Sequence, residues 1–438
     1  MKYLFYLIMG CSFLLSSCVS DPVEDVRVSD QFFGDVSQGT RSLADAISIA
    51  EDFFSQTSNK TRSYPRVIES VESVSSTQTR NGEESPALYL INYADNSGFA
   101  LIGANKEAYD IYAISDEGRL NTTDTIGNEP LKVFLEKAIF HAAGMANAPA
   151  SDAETQDQIV VGGFQYTITN QVEPMLTENV AKWHQGYLYN IYCYDPNPSY
   201  RKSVGCGAIC LGQLMTFYEH SVNRHIKFTH KDFGEVTMNW KKFATADIED
   251  PYTRQDFFEL TKSLRIVGDL LGCRYTNENT WTNSDSQDFL KVMVKLGYIN
   301  QNEVFLDQPL NDVLSSVKVF MKDGKNGFDP APLIFAGVQQ GHEIGHFWVV
   351  DGFVERRHRN TAPNPMYIND PILFHCVWGQ SSLSGFNNGY YAYLTESDMM
   401  EAQEYIPKGG KGSTAPYPYY NILVIGGYKR NTLIGSSD

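Results

Sequence analysis

Ser203-Val204-Gly205-Cys206-Gly207-Ala208-Ile209-Cys210-Leu211-Gly212-Gln213-Leu214-Met215 sets a cysteine among small residues and runs straight into an apolar stretch. Ala208, Leu211, Leu214 and Met215 recur at helical spacing, which predicts a helix with Cys206 at or near its first turn. The unpaired N–H groups and positive dipole end of a helix N-terminus favour a thiolate over a thiol. Glycines on both sides of Cys206 leave room for another backbone to approach. A free cysteine is by default a small core hydrophobe, and Cys210, one turn on, reads that way. Cys206 needs partners before it reads otherwise.

A partner stands in Gly345-His346-Phe347-Trp348-Val349-Val350-Asp351-Gly352, where His346 opens a β-rich run 346 − 206 = 140 residues after Cys206. A histidine about 130–150 residues after the cysteine is the order of papain-like enzymes. Upstream, Trp183-His184-Gln185 offers the Gln185 amide, which can join the Cys206 N–H as a donor to an oxyanion. Trp183 reads as packing, and His184 as a cleft-wall or surface residue. His342-Glu343-Ile344-Gly345-His346 also spells the H-E-x-x-H zinc motif. Gly345 and the missing helical pattern speak against a helix face carrying two histidines.

Four segments in order resemble the motifs of the streptopain-like family of cysteine peptidases: Trp183 to Asn190, Gly205 to Met215, Gly345 to Gly352, and His375-Cys376-Val377-Trp378-Gly379. The resemblance implies an α+β, papain-like domain over 160–438, with a helical lobe carrying the cysteine and an antiparallel β lobe carrying the histidine. It implies Cys206 as nucleophile, His346 as general acid and base, Gln185 in the oxyanion hole and Trp378 as a shield over the cleft. His375 becomes a strand residue beside the cleft rather than a metal ligand with Cys376. Helices are expected near 255–271, 284–296 and 311–322. Strands are expected near 332–337, 346–353, 365–368, 390–394 and 421–425.

The chain departs from the family pattern at Val377, where an asparagine precedes the tryptophan, and again in Gly379-Gln380-Ser381. A polar side chain near the histidine holds its ring, and valine cannot. A backbone carbonyl or a water is then the expected substitute. The alternative is an impaired peptidase fold serving as a surface module that binds peptides or host proteins.

A length of 438 residues allows two or three domains. With 42% hydrophobic and 20% charged residues, the chain reads as folded and globular. A net charge of −17 argues against nucleic acid as partner, because phosphate binding needs a basic face. Two of the seven cysteines lie in the leader, leaving an odd five without zinc spacing. That suggests no disulfide framework, no metal and no cofactor, and it hints at a reactive thiol.

Residues 1–17 read as a signal peptide, with a basic start, a short apolar core and small residues. Leu15-Ser16-Ser17-Cys18 resembles a bacterial lipobox, which implies cleavage before Cys18 and lipidation of its thiol. No later run approaches the roughly 18 apolar residues of a spanning helix, so the membrane is met through a lipid anchor. The expected location is exported, on the outer membrane or cell surface, or released from it. Residues 18–41 read as an acidic tether.

Residues 42–146 then read as a small α+β unit. Ser42 caps a helix, with Asp45 three residues on and an apolar face of Leu43, Ala46, Ile47, Ala50, Phe53 and Phe54. A hairpin follows over 87–93 and 99–104, then a strand over 109–115 and a helix over 130–143. Gly98 to Gly103 and Ile111 to Gly118 resemble the propeptide of the same family. That implies a domain covering the cleft as an intramolecular inhibitor, at high effective concentration. Residues 147–159 read as an accessible linker for activating cleavage. The expected partners are a protein or peptide substrate and the chain's own propeptide.

Overall fold

Phe99-Ala100-Leu101-Ile102-Gly103 is apolar at every position, which a strand tolerates only when both faces are covered. In the computed structural model it is β3 (Phe99–Gly103), buried throughout. Its neighbours are β2 (Pro86–Tyr93) and β4 (Ile111–Ser115), with β1 (Ile68–Ser75) beyond β2, all pairs antiparallel. One face packs on α1 (Leu43–Thr57) through Ile91, Ala100 and Ile102. The other packs on α2 (Glu129–Ala146) through Leu88, Leu90 and Leu101. The Ser42 hydroxyl accepts the Asp45 N–H at 3.1 Å, and the Asp45 carboxylate accepts the Ser42 N–H at 3.3 Å. That is the reciprocal cap the sequence implies. β1 lies in a stretch that reads only as Ser/Thr/Asn-rich; its partner β2, not its own pattern, makes it a strand.

The structure describes residues 39–57, 66–75, 86–121, 129–148, 165–194, 201–220, 225–275, 280–281, 286–300, 308–324, 329–339, 345–359, 367–380, 387–405, 420–425 and 428–430. The leader, Cys18, nearly all of the tether and the linker, His342 and Glu343 lie outside the described residues.

The second half begins with β5 (Gln165–Val172), α3 (Glu178–Ala181) and α4 (Cys206–Glu219). A hairpin of β6 (Ile226–His230) and β7 (Gly234–Met238) interrupts the helices where the sequence reads as mostly helical. There follow α5 (Trp240–Phe243), α6 (Arg254–Leu270), the short pair β8 (Arg274–Tyr275) and β9 (Thr280–Trp281), α7 (Ser286–Lys295), β10 (Tyr298–Asn300), β11 (Gln308–Pro309) and α8 (Leu310–Asp323). The β-rich part holds β12 (Leu333–Gln339), the long β13 (Gly345–Arg359), β14 (Tyr367–Asn369), β15 (Leu373–Val377), β16 (Gly389–Ala392), α9 (Glu396–Tyr405), β17 (Tyr420–Ile425) and β18 (Tyr428–Arg430). A helical lobe on α4 and α6 and an antiparallel lobe on β13 are the α+β, papain-like layout the sequence implies.

The two halves are not joined merely by a linker. One sheet runs β1-β2-β3-β4-β16-β15-β13-β12-β17-β11, with β5 and β14 also on β13. The seam is β4 on β16, with Tyr390 opposite Ile114 and Tyr391 opposite Ala113. Both apolar layers cross it. Phe53 of α1 meets Tyr390 at 5.5 Å between ring centroids, and Phe134 of α2 meets Tyr391 at 5.0 Å. A Cβ on Gly144 of α2 would collide with the Ala402 main chain of α9.

Candidate active site

α4 is buried nearly all round, as a helix at the centre of a lobe must be, and Cys206 is its first residue. The preceding Gly205 has φ 101°, where a side chain would be strained. Gly207 corrects the expectation of open space. A Cβ there would come within 3.0 Å of Phe289 and 3.2 Å of Leu271, so it serves close packing rather than approach of a substrate backbone. Cys206 itself is 8% exposed.

His346, the second residue of β13, is equally buried and hydrogen-bonds Cys206. Burial alone would raise the Cys206 thiol. The attraction and hydrogen bond of His346, with the N–H groups of Phe347 and Gly207, outweigh it and hold the thiol below its ordinary value. Burial likewise opposes the His346 charge, yet Cys206 and the Trp378 carbonyl carry it above the ordinary imidazole value. The His346 Nε2–H donates to the Trp378 carbonyl at 3.0 Å, which leaves Nδ1 for the sulfur. The two shifts belong to one coupled ion pair.

The expected backbone substitute for a polar side chain at 377 is therefore that carbonyl. Val377 is fully buried opposite Val349, in the core shared with α4. Trp378 reaches His346 through its main chain. Its ring packs on Trp348 at 5.5 Å and Tyr391 at 5.0 Å, inside the core on which α2 packs.

Gln185 is half-buried. Its N–H donates to the Gly379 carbonyl at 3.1 Å, and its carbonyl accepts the Val204 N–H at 2.9 Å. One backbone thus ties the chain entering α4 to the end of β15. Trp183 is fully buried, and His184 stands against Tyr189.

The other thiols set Cys206 apart. Burial pushes Cys193 up to about 12 and holds Cys210, Cys273 and Cys376 high as well. All five are free. His346 of the H-E-x-x-H letters stands on a strand, not on a helix.

The sequence missed Asp351 and two amides. The His375 Nδ1 pairs with the Asp351 carboxylate at 2.6 Å, and that carboxylate also accepts the Leu176 N–H at 2.9 Å. Asn388 Oδ1 accepts the Trp378 N–H, and the Asn387 carbonyl accepts the Trp378 Nε1–H. Asp351 stands inside the Gly345–Gly352 motif, which gave it no role; for the amides the local signal was two adjacent asparagines before a glycine at a strand start.

The first half reaches these residues from β4. The Ser115 hydroxyl donates to the Asn388 carbonyl at 2.6 Å, Asn387 Nδ2 donates to the Arg119 carbonyl at 2.7 Å, and Glu117 lies 3.4 Å from Lys182. The expected cover takes the form of a sheet extension whose turn lands beside Trp378 and the Gln185 segment.

Comparison with known proteins places the two halves. Residues 183–391 match the peptidase C10 family, and residues 36–139 match the Spi protease inhibitor family. No curated protein matches the chain. Among solved structures, a mutant fragment of Prevotella intermedia prointerpain A is 17% identical, covering 81% of this chain and 98% of its own at TM-score 0.44. Active wild-type interpain A from the same organism is 17% identical, covering 59% of this chain and 95% of its own at TM-score 0.35. The chain is a cysteine peptidase of the C10, streptopain-like family, carried in one polypeptide behind its own inhibitor domain.

Proposed function

We propose that the chain is an exported, lipid-anchored endopeptidase precursor in which Cys206 is the nucleophile and His346 the general acid and base. The reading rests on one observation: Cys206 alone among the five free cysteines has its thiol drawn below the ordinary value, and His346 is what draws it. The Cys206 thiolate attacks a peptide carbonyl, and the carbonyl oxygen becomes an oxyanion held by the Cys206 N–H and the Gln185 amide. The His346 imidazolium then protonates the leaving amine, and water, deprotonated by His346, hydrolyses the acyl-enzyme. The binding-module alternative drew its support from Val377. The Trp378 carbonyl supplies the hydrogen bond that a side chain at 377 would have made, which supports the active reading.

Anchoring rests on the lipobox-like Leu15-Ser16-Ser17-Cys18, with Cys18 as the lipidated residue. Release of the inhibitor domain is assigned to cleavage in the polar segment over 147–159.

The test sets the chain from residue 19 beside its Cys206→Ala form, under reducing conditions with a protein substrate. Only the parent should shed the inhibitor domain and degrade substrate, with a difference on the order of 10⁴-fold or more. Equal turnover by both would remove Cys206 from the chemistry.

A further inference from the structure

With valine at 377, no side-chain amide comes from the position where the family motif places one, yet the His346 ring is held. A carbonyl can orient a ring only if its own residue is fixed. Trp378 follows β15 just before a turn, where Gly379 has φ 64°. Past the carbonyl, the Gly379 carbonyl accepts the Gln185 N–H at 3.1 Å; ahead of it, Trp378 is held through its N–H by Asn388. The Trp378 N–H donates to Asn388 Oδ1 at 3.2 Å, and Asn388 Nδ2 donates to the Ala181 carbonyl at 2.9 Å. Ala181 closes α3, immediately ahead of the Trp183–Gln185 segment. Asn388 is 3% exposed, and each end of its amide is bound to an element of the site.

An amide puts an acceptor and a donor on one neutral planar group. A carboxylate of the same shape keeps the acceptor and loses the donor, and leucine loses both.

We propose that Asn388 is a positioning residue for the peptidase reaction: anchored by its amide N–H on the Ala181 carbonyl, it holds the Trp378 N–H and so places the residue whose carbonyl turns His346 toward Cys206. The inference rests on Cys206 and His346 being the reacting pair. A carbonyl that accepts from the ring stabilises the imidazolium, and the imidazolium stabilises the thiolate. Loosening Trp378 therefore weakens both charges together. Asn388 touches no reacting atom, so the effect falls on turnover and on pH dependence, not on substrate binding. The inhibitor's Ser115 meets the Asn388 main chain, not its amide, so a side-chain substitution spares that contact.

The experiment compares the full chain with its Asn388→Asp and Asn388→Leu forms. Iodoacetamide alkylation at Cys206, located by mass spectrometry, is followed against pH, and kcat and KM are measured for the activity each form develops. The parent should alkylate with a midpoint below that of an ordinary thiol. In Asn388→Asp the midpoint should rise and kcat should fall about tenfold, the scale of one hydrogen bond to a charged group, with KM within about twofold. That deficit should shrink toward acid, where a protonated carboxyl regains a donor. Asn388→Leu should show the larger loss with no recovery in acid. If Asn388→Leu does not fold, Asn388→Asp decides alone, because it keeps the shape and the Trp378 acceptor and removes the anchor on the Ala181 carbonyl. An Asn388→Asp form with the parental midpoint and kcat overturns the proposal and leaves the Cys206–His346 reading intact. Loss spread over kcat and KM without a change in pH profile also overturns it, as a merely structural role. A parental midpoint at the ordinary thiol value overturns the underlying reading instead.

Discussion

The sheet holds two buried histidine pairs a few residues apart, Cys206–His346 and Asp351–His375. Both rings are raised above the ordinary imidazole value against the pull of burial. In the first, the partner is a thiol on α4, and the far nitrogen is held by a main-chain carbonyl. In the second, the partner is a fully buried carboxylate on β13, facing the same residue's neighbour strand β15. The inhibitor's Asp116 and Glu117 also act on His375, and Glu173 and the Tyr390 ring stand beside it. The ring is the same; the partner decides the chemistry. A thiol beside imidazole gives a nucleophile, whereas a carboxylate favours the charged form of the ring. Here that ring sits where the two domains meet.

The largest expected break between the pairs is in stability. Asp351→Ala strips His375 of its carboxylate and the Leu176 N–H of its acceptor, both in a buried place. It should cost about 3–5 kcal/mol, measured by urea unfolding in a Cys206→Ala background. Unfolding at the same urea midpoint would show that the second pair carries no structural weight. Replacing Cys206 by serine should cost far less, since its pair exists for reaction.

Val377→Asn sharpens the first pair. The side chain is fully buried in an apolar core, so an amide there should cost about 1–3 kcal/mol. Turnover should not rise, because the Trp378 carbonyl already occupies the far nitrogen of His346. A gain in kcat would mean that the carbonyl is an inferior substitute.

The smallest effect concerns pH. The folded value of His375 is raised, so its contribution is fully present below the unfolded imidazole value, about 6.5, and is lost as pH rises through the folded value. Part of that contribution is attraction to Asp116 and Glu117, so the inhibitor domain should be held more firmly in acid than in alkali. Thermal unfolding of the Cys206→Ala chain from about pH 5 to 9 should show stability falling across this window, and His375→Gln should flatten the trend. An unchanged slope in His375→Gln would assign the pH dependence to other groups.

Sequence by itself was enough for whatever depends on neighbours along the chain. The apolar spacing after Cys206 marks α4, the Ser42–Asp45 pair caps α1, and alternating or continuous apolar runs mark β2, β3, β12 and β13. The order of four short motifs gave the family and so the two-lobed layout.

Tertiary structure alone decided the rest. β1 is polar by composition and becomes a strand because β2 offers it a ladder; β5 joins the sheet along β13, 353 opposite 172. The β4–β16 seam, which makes inhibitor and peptidase one sheet, has no local signature, because either strand reads the same with any partner. The same holds for the Trp378 carbonyl and for Asn388. A main-chain group carries no letter, and an asparagine ten residues away in sequence becomes a clamp only when the chain folds back. Periodicity records which face a residue presents; it does not record what that face will meet.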